Sequence, residues 1–148
     1  MAVLIRPMTT ADYDGVWALW MSCENMVFND LDDSREGIER LLRRNPNTCL
    51  VAEIDGTLAG VILAGHDGRR GYIYHMAVSG AFRRQGVGTQ LVIRCLDALR
   101  VEGINKVALL VFRRNDVGNA FWEKQGFVLR EDVNYRNRAL AELLRIDT

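Results

Sequence analysis

The residues best suited to chemistry lie in one short run, Arg83-Arg84-Gln85-Gly86-Val87-Gly88. Glycines at two of these positions let the backbone approach a ligand closely and take dihedral angles closed to other residues. If the run opens a helix, the first-turn amides point outward at the positive end of the helix dipole. A pyrophosphate fits such a cradle. Arg83 and Arg84 add planar donor forks that suit phosphate oxygens. A bare GxG is a weak signal, because turns and helix caps use it too. A dinucleotide fingerprint needs a third glycine where Leu91 stands, and it belongs early in a βαβ unit. A phosphate loop needs Gly-Lys-Ser/Thr, which is missing.

The elements around this run can position it. Gly71 to Val78 is an extended run rich in aromatic and β-branched residues. In a regular strand Tyr72, Tyr74 and Met76 share one face, and Ile73, His75 and Ala77 the other. SGAFRRQGVG then leads into a helix carrying Leu91, Val92, Cys95, Leu96 and Leu99, closed by Gly103. Upstream, Ala2 to Arg6 reads as a short strand ended by Pro7. Thr9 or Thr10 caps a helix with Tyr13, Val16, Trp17, Trp20 and Met21 on one face, a pattern best explained by core packing. Ser34 caps a second helix, stopped by Asn45-Pro46. Cys49 to Ile54 and Leu58 to Ala64 flank Asp55-Gly56, a strong hairpin signal. Downstream, Lys106 to Phe112 reads as a buried strand, Asn115 to Gln125 as a helix and Phe127 to Val133 as a strand. The tail from Asn134 is open between strand and short helix. The order β-α-α-β-β-β-α-β-α-β predicts one α/β domain over residues 1–148, with a mixed sheet and helices on both faces.

Bulk properties narrow the partners. The chain has 148 residues and 19 basic against 19 acidic side chains, so no overall charge draws it to nucleic acid or membrane. The opening apolar stretch is too short for a signal-peptide core, and no stretch approaches a membrane span. Three widely spaced cysteines, Cys23, Cys49 and Cys95, form neither a metal pattern nor a disulfide framework. A cytoplasmic chain with reduced thiols and no metal is the expectation.

YIYHMAVSGAFRRQGVGTQLV resembles the acetyl-CoA-binding motif of the GNAT superfamily of N-acetyltransferases, with Arg83, Gly86 and Gly88 in its defining places. VALLVFRRNDVGNAFWEKQGFV is similar to the next segment of that family: a strand, Asn115, a helix with the aromatic pair Phe121-Trp122, then Gly126-Phe127 before a strand. GHDGRRGYIYHMAV also resembles the small bacterial YpeA-like branch. The resemblance implies a mostly antiparallel sheet of six or seven strands, splayed between Gly71–Val78 and Lys106–Phe112. Acetyl-CoA, as co-substrate, would lie in the splay. Backbone from Met76, Ala77 and Val78 would bond its pantetheine arm. Amides from Arg84 through Gln85, Gly86, Val87 and Gly88 to about Thr89 would hold the pyrophosphate. Asn115, Phe121 and Trp122 would border the arm.

The same resemblance implies direct attack by a primary amine of a small molecule or peptide, with an amide near Met76 polarising the acetyl carbonyl. His75 precedes that amide and is the nearest base, unless it is merely a packed strand histidine. Glu53, His66 and Asp67 are alternatives. Trp122 stands where relatives commonly carry a tyrosine that protonates the leaving thiolate, and indole is no acid near neutral pH. Water, Tyr135, Tyr74 or Tyr72 would then serve. The region that walls the acceptor pocket carries Asn29, Asp30, Asp32, Asp33, Glu36 and Glu39, and an acidic wall would attract a cationic amine. Asp33, Glu36 and Glu39 read first as helix-start charge, leaving Asn29 and Asp30 as acceptor contacts. Homodimerisation through the C-terminal strand is a further implication. The competing reading is a non-catalytic acyl-CoA-binding module, with Trp122 as its support.

Overall fold

The computed structural model describes residues 2–148. Strand β1 (Val3–Pro7) leads through a short 3-10 turn (Thr10–Asp12) into α1 (Tyr13–Met21). A three-residue strand β2 (Val27–Asn29) precedes α2 (Arg35–Arg44), whose start is capped by Ser34 Oγ accepting from the Gly37 amide at 3.1 Å. The strands β3 (Leu50–Ile54), β4 (Thr57–His66) and β5 (Gly71–Val78) follow as a meander. The β3–β4 turn places Asp55 and Gly56 at φ 51° and 77°, the left-handed pair that a two-residue hairpin requires. Then come α3 (Val87–Val101), β6 (Val107–Leu109), α4 (Asp116–Lys124) and β7 (Arg145–Asp147).

The main sheet runs β1-β3-β4-β5-β6; its first three pairings are antiparallel and β5–β6 is parallel. A parallel neighbour needs a crossover, which α3 supplies. Alternation along the central strands sorts the core into two layers. Leu50, Ala52 and Ile54 of β3 and Ile62 and Ala64 of β4 meet Leu91, Val92, Cys95 and Leu99 of α3. Val51, Val61 and Leu63 face the other way, onto Val16, Leu19 and Trp20 of α1 and Ile38 and Leu42 of α2. Gly60 permits the tight seat of α3, since a Cβ there would come within 2.9 Å of Leu91 Cδ1 and 3.1 Å of the Ala77 carbonyl. Cys23, Cys49 and Cys95 are buried and unpaired. Burial pushes the Cys49 thiol up to about 11 and Cys95 up to about 12, so both behave as packing groups.

The seven strands divide as five plus two, with β2 and β7 forming a small antiparallel ladder of their own. Two expectations fail at the C-terminal side. The strand expected over Lys106 to Phe112 is only Val107–Leu109, because β5 turns away from it beyond Ile73 and the ladder loses its partner. Phe127 to Val133 forms no strand at all, and Val128, Leu129 and Val133 stand exposed. A strand-like sequence has no ladder to join unless a neighbour presents its edge, and none of the described strands does so here. The ambiguous tail resolves at its very end into β7.

Candidate functional site

The parallel pair that closes the main sheet is short. Gly71, Tyr72 and Ile73 register with Val107, Ala108 and Leu109, and then the strands part. From His75 to Val78 the backbone of β5 keeps its β4 partner but has none on the β6 side. The result is a cleft of about 2310 Å³, floored by β5, with the start of α3 at one end and α2 along a wall. Met76, Ala77 and Val78 border it, as do Arg83, Arg84, Gly86, Val87, Gly88, Thr89, Asn115, Phe121 and Trp122. The sequence-predicted residues are thus brought together, except that Gln85 does not border the cleft.

At the α3 end, Gly86 is the N-cap with φ 78°, and no side chain caps the helix. Arg84 also holds a left-handed φ of 64°. Two left-handed residues beside an uncapped first turn make an open nest of amides, the local form that accepts an anion. Arg83 is partly committed: its Nε donates to the Val78 carbonyl at 3.3 Å, and a terminal nitrogen lies 3.7 Å from Cys23 Sγ. Gly88 faces Phe121, whose ring carbons would lie 3.4 Å from a Cβ placed there. Asn115 caps α4 through Oδ1, accepting from the Gly118 amide at 2.9 Å. Trp122 is packed edge-on between Phe121 and Phe127. These residues fit a pyrophosphate followed by a narrow apolar arm.

A β-bulge changes the chemistry in the middle of β5. Leu63 pairs with His75 but Ala64 pairs with Ile73, so Tyr74 is an extra residue without an opposite number. The expected alternation therefore fails: Ile73 and Met76 both pack on the α3 layer, while His75 and Ala77 face α1 and β2. His75 lies against Phe28, ring centroids 4.5 Å apart, and Trp20, 5.2 Å. Its Nε2 is 2.8 Å from Asp33 Oδ1. Asp33 is only 6% exposed, and its second oxygen accepts from the Asn29 amide at 2.9 Å. Tyr13 fixes the same residue by donating its hydroxyl to the Asp33 carbonyl at 2.6 Å. Among the described residues the only sealed side-chain nitrogen or oxygen without a partner is Trp20 Nε1. His75 borders the cleft, and its Nδ1 makes no hydrogen bond among the described residues. Local sequence marks Asp33 only as helix-start charge, because its pairing with His75 spans 42 residues and leaves no local signal.

The other bases considered lie away from the cleft. Glu53 is bound to Arg6 at 2.6 Å. Asp67 accepts from the Arg69 and Arg70 amides, which hold its carboxyl below the usual range. His66 accepts from the Gly68 amide and sits near Glu102. Asn29 borders the cleft, but its Oδ1 accepts from the Leu31 and Asp32 amides. Asp30 does not border it: its carboxylate accepts from the Leu144 amide at 2.6 Å and ties down the C-terminal strand. Burial pushes Tyr72 up to about 12 and Tyr74 upward. That widens the gap to a thiol near 8.5, so both are poor proton donors to a thiolate. Tyr135 is largely exposed at the same end of the cleft. Among the described residues no cluster of metal-ligating side chains occurs, and no helix is long and apolar enough to cross a membrane.

Residues 13–127 match the "Acetyltransferase (GNAT) family". An acetyltransferase of Sodalis glossinidius is 31% identical over 93% of this chain and 96% of its own length. One of Pectobacterium atrosepticum is 33% identical over 81% and 84%. Among solved structures, Ard1 from Thermoplasma volcanium aligns with a TM-score of 0.78 and 27% identity, covering 88% of this chain and 85% of that one. The PaiA N-acetyltransferase of Thermoplasma acidophilum, solved with coenzyme A, aligns at 0.77 with 19% identity, over 90% and 94%; at that identity the likeness is of fold.

Proposed function

The chain belongs to the GNAT family of acetyltransferases, and from that premise we propose that it moves an acetyl group from acetyl-CoA to a primary amine of a small molecule or peptide by direct attack. The observation that carries this reading is the splay of β5 from β6. It leaves unpartnered backbone at Met76 to Val78 in line with the uncapped start of α3. Amides from Arg84 to Thr89 hold the pyrophosphate, and the β5 backbone holds the pantetheine arm. The thioester supplies an activated acetyl group, and a backbone amide near Met76 stabilises the developing oxyanion.

An amine of lysine type has a pKa of about 10.4 and arrives protonated. His75 accepts the proton at Nδ1, while Asp33 holds the ring through Nε2–H and stabilises the cation that forms. Tyr135 or water protonates the departing thiolate. GHDGRRGYIYHMAV supports placement in the YpeA-like branch, and the buried free thiols suit the reducing cytoplasm. Residues 127–144 leave Val128, Leu129, Leu140 and Leu144 in solvent, with Leu140 95% exposed. They follow α4, downstream of the edge strand β6. A second copy of the chain is the partner that covers such a surface.

The test is release of the CoA thiol from acetyl-CoA across amino acids, peptides with free N-termini, polyamines and aminoglycosides. Amine-dependent release is expected. Tight CoA binding without release from any amine would sink the transfer reading.

A further inference from the structure

Of the acids expected to wall the acceptor end, Asp30, Asp32 and Asp33 are engaged inside the protein, and Glu36 and Glu39 do not border the cleft. Asp30 serves Leu144, Asp33 serves His75 and the Asn29 amide, and Asp32 Oδ2 accepts from Asn29 Nδ2 at 2.8 Å. The opposite charge is left free. Arg40 and Arg44 lie one turn apart on α2, both border the cleft, and neither makes an ion pair or hydrogen bond among the described residues. Arg35 of the same helix is paired with Asp14 at 2.5 Å, so α2 spends one guanidinium on the fold and leaves these two. Arg44 sits in the last turn, where the helix dipole favours a cation, but Arg40 lies a turn earlier and gains little from it.

Arg44 also borders a side cavity of about 690 Å³ that shares Leu41, Tyr72, Tyr74 and Tyr135 with the main cleft and adds His66, Asp67 and Arg70. The Asp67 carboxylate there is bound by the Arg69 and Arg70 amides, and the Arg70 guanidinium makes no ion pair among the described residues. Tyr72 and Tyr74 form its aromatic wall, ring centroids 4.8 Å apart. Guanidinium forks one turn apart, beside aromatic rings and unneutralised, match a planar or tetrahedral oxyanion.

We propose that the acceptor is an amine that also carries a carboxylate or phosphate, held by Arg40 and Arg44 while its amine lies at the Asp33–His75 end. The inference rests on the acetyltransferase reading and narrows its substrate class. The polarity is built in: the carboxylates of Asp32 and Asp33 flank the amine end, and the arginines line the other.

The test compares matched amines with and without the anion: alanine against alaninamide, and O-phosphoethanolamine against ethanolamine, with spermidine as a polycation. kcat/KM for CoA release is measured for the wild type and for the Arg40→Gln/Arg44→Gln double variant, with CoA affinity and thermal unfolding as controls for fold. The anionic member of at least one pair should be preferred by about tenfold to a hundredfold, the worth of a charge-assisted hydrogen bond. The double variant should lose that preference while keeping CoA affinity, and the pair that shows it separates carboxylate from phosphate. Equal or better use of the member without the anion in both pairs, or of spermidine over every anionic amine, overturns the proposal, as does a preference that survives the double variant. Calorimetric titration of the same amines into CoA-saturated protein reads the preference without turnover. Selective, arginine-dependent binding with no CoA release would keep the subsite and remove acetyl transfer. Equal binding within both pairs would remove the subsite.

Discussion

His75 and Asp33 carry the sharpest consequence at the scale of single residues. If His75 takes the amine proton, His75→Gln should lower kcat by about a hundredfold, the lower range of general-base effects, with CoA affinity unchanged. Asp33→Asn keeps a group of the same shape but removes the charge that favours the protonated ring. It should lower kcat with little effect on the KM for acetyl-CoA, and a matching loss of CoA binding would show a merely structural role. Gly86 offers a separate check. Its φ of 78° is strained for any L side chain, and a Cβ there would meet only Gln90 Nε2, at 4.0 Å. Gly86→Val should weaken CoA binding in a direct titration; unchanged affinity would remove the loop from the pyrophosphate site. His75 was legible because it precedes a motif read from local spacing. Asp33 was not, because a contact across 42 residues leaves no period in the sequence.

Elements are held in place by pairings that can be tested through stability. Arg6 on β1 donates to Asp12 at 2.8 Å and to Glu53 on β3 at 2.6 Å, pinning the entry to α1 against the sheet. The Arg6 hydrogen bonds first, then the Thr9 amide, hold the Asp12 carboxyl below its ordinary value. A lowered folded value stabilises the fold above the unfolded pKa of about 3.9, and the gain is lost as pH falls through the folded value. Urea unfolding should therefore show Asp12→Asn less stable than the wild type near neutrality, with the deficit shrinking below about pH 4. A deficit that persists at low pH would contradict the ion pair. Ser34→Ala removes the α2 cap and should cost about 1 kcal/mol, read as a fall in the unfolding midpoint. The caps, the Asp55-Gly56 hairpin and β5 itself were legible, since each depends on neighbours in sequence. The bulge at Tyr74 was not: it arises from the match between β4 and β5, and it moved His75 to the face opposite Ile73.

For the whole molecule, the exposed apolar residues from Val128 to Leu144 predict self-association. Sedimentation at micromolar concentrations should show a dimer, and Leu129→Glu/Leu140→Glu should shift it to monomer while leaving CoA affinity intact. A wild type that stays monomeric at high concentration would remove the second copy as occupant.

Local chemistry in the sequence determined the helix starts, the hairpin turn, the five strands of the main sheet in outline and the glycine loop that opens α3. All of these follow from dihedral preference, capping and periodicity over a few residues. Only the tertiary structure decided where β5 and β6 part, which face His75 presents, and that Phe127 to Val133 has no ladder to join. It also decided which charges stay unpaired along the cleft. Sequence supplies the acids and the arginines side by side, but which of them remain unneutralised depends on partners such as Leu144 and His75, which only folding brings within hydrogen-bonding distance.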